Sequence, residues 1–144
     1  MTRTAEYRVA LTTLEPAGWP AYLDEHSGLP GPRGNIELAL VVADLAPPRL
    51  AEELIASGDE YRTFCGVVAL GSRAAEPGVL ARLHGHASDE RWRVREAVAM
   101  ALQRLGDAVY SFTKRAIGEI GSLDAIAQLD VGRLVGVAAE TALD

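Results

Sequence analysis

The sequence predicts an all-α fold, an α-solenoid of stacked helix pairs, and three observations carry that prediction. Ala and Leu are abundant while aromatic residues make up only 6% of the 144 positions, a mixture that favours helices over a sheet built from Val, Ile and aromatics. Apolar residues recur at helical spacing in Ser88–Asp107, at Val94, Val98, Ala101, Leu102 and Leu105. Two amphipathic stretches also superpose without a gap: placing Tyr61 on Trp92, an interval of 31 residues, puts Gly66 on Ala97, Val67 on Val98, Val68 on Ala99 and Leu70 on Ala101. That interval lies in the range of stacked helical repeats, whose units cannot bury their apolar faces alone. A weaker match sets Leu40 on Val67 at an interval of 27.

Each element has a local reason. Residues 1–16 mix charge with short apolar runs and are assigned to an N-terminal helix or cap. Trp19–Glu25 has Trp19, Tyr22 and Leu23 at helical spacing, with Pro20 in a first turn where its missing N–H costs nothing. Residues 26–34, HSGLPGPRG, cannot continue a helix. This Gly-rich stretch lacks a Gly-Lys-Ser/Thr ending and no strand pattern precedes it, so it reads as a connecting loop and not a phosphate loop. Asn35–Asp44 is the next helix, apolar over a wide arc and therefore largely buried. Pro47-Pro48 ends it and opens Arg49–Ala56, and Ser57-Gly58-Asp59 supplies a turn and a new cap. Helix Glu60–Leu70 and the short helix Val79–His86 follow. Ser88 and Asp89 are expected to cap the next helix and Gly106 to end it, after which Ala108–Ile120 is a separate helix. Leu123–Leu129 and Val131–Leu143 are expected to form one further pair.

Composition narrows the function. The chain has the length of one domain, 1–144, and 49% hydrophobic with 24% charged residues is globular composition. A net charge of −6 disfavours nucleic acid unless the basic residues gather on one face. The single cysteine, Cys65, sits in an apolar run and reads as a core thiol in a reducing compartment. No apolar run is long enough for a membrane span and no signal-peptide pattern opens the chain, so a cytoplasmic location is expected, with no membrane contact.

The order of residues in Ser88–Asp107 resembles the second helix of a HEAT repeat. A short helix ends at Asp89, a Val-Arg pair follows as Val94-Arg95, and a small-residue-rich helix runs through Ala97, Ala99, Ala101 and Leu102. The resemblance covers roughly residues 34–107 and implies a right-handed α-α superhelix of about four HEAT-like pairs, with the long second helices lining one surface of a curved slab. Trp92 and Arg95 also match the Trp-x-x-Arg arrangement of the HEAT-like alkylpurine DNA glycosylases of the DNA alkylation repair type. That family's Trp-x-x-x-Asp has no counterpart, since Leu23 stands four positions after Trp19 and Glu96 four after Trp92.

No catalytic set emerges. His84 and His86 are two apart on a helix, which points their rings to different sides, and no third ligand completes a metal site. The acidic pairs Asp24-Glu25, Asp59-Glu60 and Asp89-Glu90 lie at helix boundaries, where the latter two act as caps and first-turn charges. No cofactor motif and no nucleophile setting is present. The reading is a non-enzymatic protein-binding scaffold, with Arg62, Arg91, Trp92, Arg93, Arg95, Glu96, Gln103 and Arg104 as binding candidates on the second helices. The alternative is a DNA-binding protein related to the alkylation repair glycosylases, and it requires the arginines to form one positive stripe. Ends without polar caps would favour homo-oligomers.

Overall fold

The computed structural model describes residues 1–120, and over them the chain forms seven α-helices, two short 3-10 turns and no strand. The helices are α1 (Arg3–Thr13), α2 (Trp19–His26), α3 (Ile36–Leu45), α4 (Pro48–Ala56), α5 (Glu60–Leu70), α6 (Val79–His86) and α7 (Trp92–Ile120). The expected helices Leu123–Leu129 and Val131–Leu143 lie outside the described residues. Among the described residues no helix is long and apolar enough to cross a membrane.

Local chemistry sets the helix starts. Thr2 accepts the Ala5 N–H at α1, Asn35 accepts the Leu38 N–H at α3, and Asp59 accepts the Arg62 N–H at 2.9 Å at α5. Pro20 and Pro48 occupy first turns, where no intrahelical N–H is lost. The helix expected from Ser88 begins later, at Trp92. Asp89 accepts the Arg91 N–H at 2.8 Å in a turn ahead of it, and Arg91 O then takes the Arg95 N–H.

Gly106 does not end that helix. Trp92–Ile120 is one helix of 29 residues, so the stop at Gly106 and the separate helix Ala108–Ile120 are both corrected. The positive φ of a glycine stop is found at Gly28 and Gly58, after α2 and α4, and not at Gly106; Gly78, also at positive φ, stands ahead of α6. A glycine inside a helix costs only about 1 kcal/mol, and no proline follows Gly106 to convert that cost into a break.

Helix α5 is the centre of the molecule, in contact with α2, α3, α4, α6 and α7. Every residue from Thr63 to Leu70 is buried, so the helix has no solvent face over that span. Helices α1, α3, α5 and α7 are neighbours in that order, and α6 packs on α5 and α7. Small residues permit the closest approaches. A Cβ at Gly66 would sit 2.7 Å from Ile55 Cγ1 and 2.8 Å from Ala51 O of α4, and one at Gly71 would sit 2.5 Å from Ala101 O of α7. The core joins Leu11, Leu23, Leu38, Val42, Leu54 and Val94, among others, into one cluster.

Ion pairs tie distant elements together. Asp44 at the end of α3 accepts from Arg8 of α1 and from Arg104 of α7. Glu52 of α4 accepts from Arg82 of α6 at 2.6 and 2.7 Å and from Arg73 at 2.9 Å, while Arg73 also reaches Glu76. The Arg91 guanidinium and N–H hold the Asp89 carboxyl down to about 2, and Arg82, with Arg73, lowers Glu52. These carboxyls are less acidic in the unfolded chain, so their contribution is complete above the ordinary carboxylate range and disappears as they protonate. The melting temperature is therefore expected to stay level from about pH 7 to about pH 5 and to fall between about pH 4.5 and pH 2, a profile that thermal scans by circular dichroism check.

Cys65 is completely buried, as the sequence suggested, and burial pushes its thiol up to about 12. A buried thiol of that kind does not ionise at neutral pH. Native protein is expected to react with a thiol reagent only at the rate of opening, and unfolded protein at once. Rapid labelling of the native state at neutral pH would contradict the packing described for α5.

Candidate functional site

The N-terminal ends of α3, α5 and α7 converge with the loop of residues 27–35 around a cleft of about 380 Å³. Its apolar lining is Ile36 of α3, Tyr61 and Phe64 of α5, and Trp92 of α7. Tyr61 and Phe64 are nearly covered, at 3% exposure each, whereas Ile36 is 41% and Trp92 50% exposed. The charged lining is Arg33 from the loop with Arg93 and Glu96 from α7.

Hydrogen bonds fix the loop at its base and at Gly31. Asn35 N–H donates to Ser27 O at 2.8 Å and closes its base. The Asn35 side chain caps α3 through Oδ1, while its Nδ2 donates to Tyr7 Oη and to His26 O, both at 2.9 Å. Tyr61 Oη donates to Asn35 O at 2.8 Å, and burial raises the Tyr61 phenol, keeping it a neutral donor. Arg93 fastens the far side: its Nη2 donates to Gly31 O at 3.1 Å, its Nη1 lies 3.6 Å from Glu60 Oε2, and its guanidinium stacks 4.5 Å from the Trp92 ring. Arg93 Nε has no hydrogen-bond partner among the described residues. Arg93 and Tyr61 also border a second cleft of about 540 Å³, lined further by Asp24, Asp59 and Glu60.

The structure distributes the sequence candidates over two regions. Arg62, Arg91, Trp92, Arg93, Arg95 and Glu96 lie at or near the helix N-termini, but only Trp92, Arg93 and Glu96 line the cleft. Gln103 and Arg104 lie about 16 Å further along α7 by the rise of a helix; Gln103 is exposed and Arg104 binds Asp44. The arginines are largely engaged. Arg62 forms a two-point pair with Asp24, and Arg91 lies 3.0 Å from Asp89. Arg95 turns back to the carbonyls of Asp89 and Glu90, at 2.7 and 3.0 Å.

Sequence reasoning missed Ile36, Tyr61, Phe64 and Arg33. The first three follow the same apolar spacing as the core, and nothing local marks which of them faces an opening. The Gly-Pro-rich loop was a visible signal, read only as a connection. No group of three His, Cys, Asp or Glu side chains suited to a metal ion occurs among the described residues. His26 lies against Tyr22 and Tyr7, with Nδ1 at 2.9 Å from Tyr22 O. No family model, curated protein or solved structure matches the chain.

Proposed function

We propose that this chain is a non-enzymatic protein-binding module, a HEAT-like stack of helix pairs whose partner docks over the cleft between α3, α5 and α7. The observation that carries the reading is the pairing of half-exposed Ile36 and Trp92 above the covered rings of Tyr61 and Phe64. Large apolar side chains at the mouth of a cleft, held on rigid helix ends, are the usual anchors of a protein interface. The sequential adjacency of α1, α3, α5 and α7 supports the solenoid reading.

The nucleic-acid alternative is weaker on charge. Arg62, Arg91, Arg93 and Arg104 each lie against a carboxylate, and Glu96 adds a negative charge to the cleft itself. A polyanion binding there displaces those pairs before it gains its own.

The test places a photo-crosslinking amino acid at position 36 of the full chain in its native cell and identifies the adducts by mass spectrometry. One dominant protein adduct, lost when Trp92→Ala is added, is the expected result. A second copy of the chain is recognised directly as a self-adduct. Absence of any Trp92-dependent protein adduct, or salt-sensitive retention on duplex DNA, would overturn the reading.

A further inference from the structure

We infer that the cleft takes an extended peptide segment of the partner in which one large apolar side chain is flanked by an acidic residue on one side and a basic residue on the other. The inference rests on the protein-binding reading above and specifies the partner's chemistry.

Three observations carry it. The floor is apolar and aromatic, with Tyr61 and Phe64 beneath Ile36 and Trp92, and accommodates one bulky side chain. The charged groups in the wall are of both signs, and two of them are unengaged. Of the arginines from Arg3 to Arg104, Arg33 alone makes no ion pair or hydrogen bond through its guanidinium among the described residues. Each of the others does, as Arg3 with Glu37, Arg49 with Glu53 and Arg95 with carbonyls show. Glu96 is half-buried and lines the cleft, and its carboxylate likewise has no cationic partner among the described residues. A half-buried carboxylate gains from a cation placed on it, and an open guanidinium from a carboxylate. An occupant with charge of one sign only satisfies one wall and opposes the other.

The third observation is adjacency. The cleft shares Tyr61 and Arg93 with the second cleft, and Arg33, Gly34 and Ile36 with a third of about 590 Å³ that runs to Tyr7 and Glu37. Three clefts side by side around one loop suit an extended chain laid across their shared borders, where a compact ligand needs only one. Along these clefts Arg93, Arg62 and Arg3 are paired with Glu60, Asp24 and Glu37, and Glu96 is unpaired among the described residues, so a nucleic-acid strand would find little open positive charge besides Arg33.

The experiment titrates the full chain with capped heptapeptides bearing a central Leu or Phe, one Asp and one Lys in every flanking arrangement, and Ala, all-Asp and all-Lys controls. Binding is followed by tryptophan emission, which changes through half-exposed Trp92 because Trp19 is covered. One Asp/Lys arrangement is expected to bind about tenfold more tightly than the Ala control. Arg33→Glu should shift the preference to peptides with two Lys, Glu96→Lys to peptides with two Asp, and the double variant to the reverse arrangement. A variant that only loosens the fold weakens every peptide alike and gives no reversal. Equal binding of all peptides, preferences unmoved by the charge reversals, or tighter binding of an oligonucleotide would each overturn the inference. Failure of every peptide beside a persisting Trp92-dependent protein adduct removes this inference and leaves the proposed function standing; loss of both removes both.

Discussion

Replacing Gly71 by Ala is expected to lower the stability of the chain by about 3 kcal/mol, read as a fall in the urea midpoint with little change in slope. The new methyl carbon would lie 2.5 Å from the carbonyl oxygen of Ala101 and 3.0 Å from its Cα and carbonyl carbon. All three atoms belong to the backbone of α7, and Ala101 is fully buried, so no flexible side chain can swing aside. Relief therefore requires α7 to shift away from the 3-10 turn Gly71–Arg73 that closes α5, which opens the contacts of Val94, Ala97 and Val98 as well. Two effects oppose each other here, since alanine is the better helix former by roughly 0.5–1 kcal/mol. Overpacking against backbone is the larger. Gly106→Ala isolates the smaller effect, because a Cβ there meets nothing within 4 Å and the residue is exposed in mid-helix. That variant is expected to gain up to about 1 kcal/mol. A Gly71→Ala midpoint equal to that of the parent would refute the close approach of α5 and α7.

Trp92→Ala is expected to cost partner binding about 2 kcal/mol, roughly thirtyfold in affinity, while stability changes by less than about 1 kcal/mol. The asymmetry follows from exposure. Trp92 is half open to solvent, its ring stacks on the Arg93 guanidinium, and it is not a member of the buried core cluster. Arg93 keeps its bond to Gly31 and its contact with Glu60 when the ring is removed, so the loop wall stays in place. Crosslinking yield at position 36 measures the binding effect, and the urea midpoint of the same variant measures stability. Parallel loss of both would make Trp92 a packing residue. Unchanged crosslinking would remove it from the interface.

Much of the helix order was legible because its determinants are local. Asp59 caps α5 from within one turn, Pro48 opens α4, and the apolar arc of α3 announces burial before any neighbour is known. The end of α7 was not legible, because Gly106 has the chemistry of a stop and only the actual φ decides whether it acts as one. The arginine candidates show the same division. Their identities and spacing are evident, but Arg62 meets Asp24 across 38 positions and Arg104 meets Asp44 across 60. Those pairings turn residues that read as a binding stripe into ties between helices.

Tyr61 and Trp92 draw the line most clearly. They occupy equivalent places in the 31-residue superposition, yet one is 3% exposed and the other 50%. What the sequence alone determined is which segments coil, that Asp59 caps α5 while Pro20 and Pro48 open α2 and α4, and which faces are apolar, since those depend on interactions within a few residues. Only the tertiary structure decided which apolar faces stay open, which charges are neutralised and that one cleft joins α3, α5 and α7. Burial and ion pairing belong to neighbours brought together by the fold, and spacing along the chain carries no record of them.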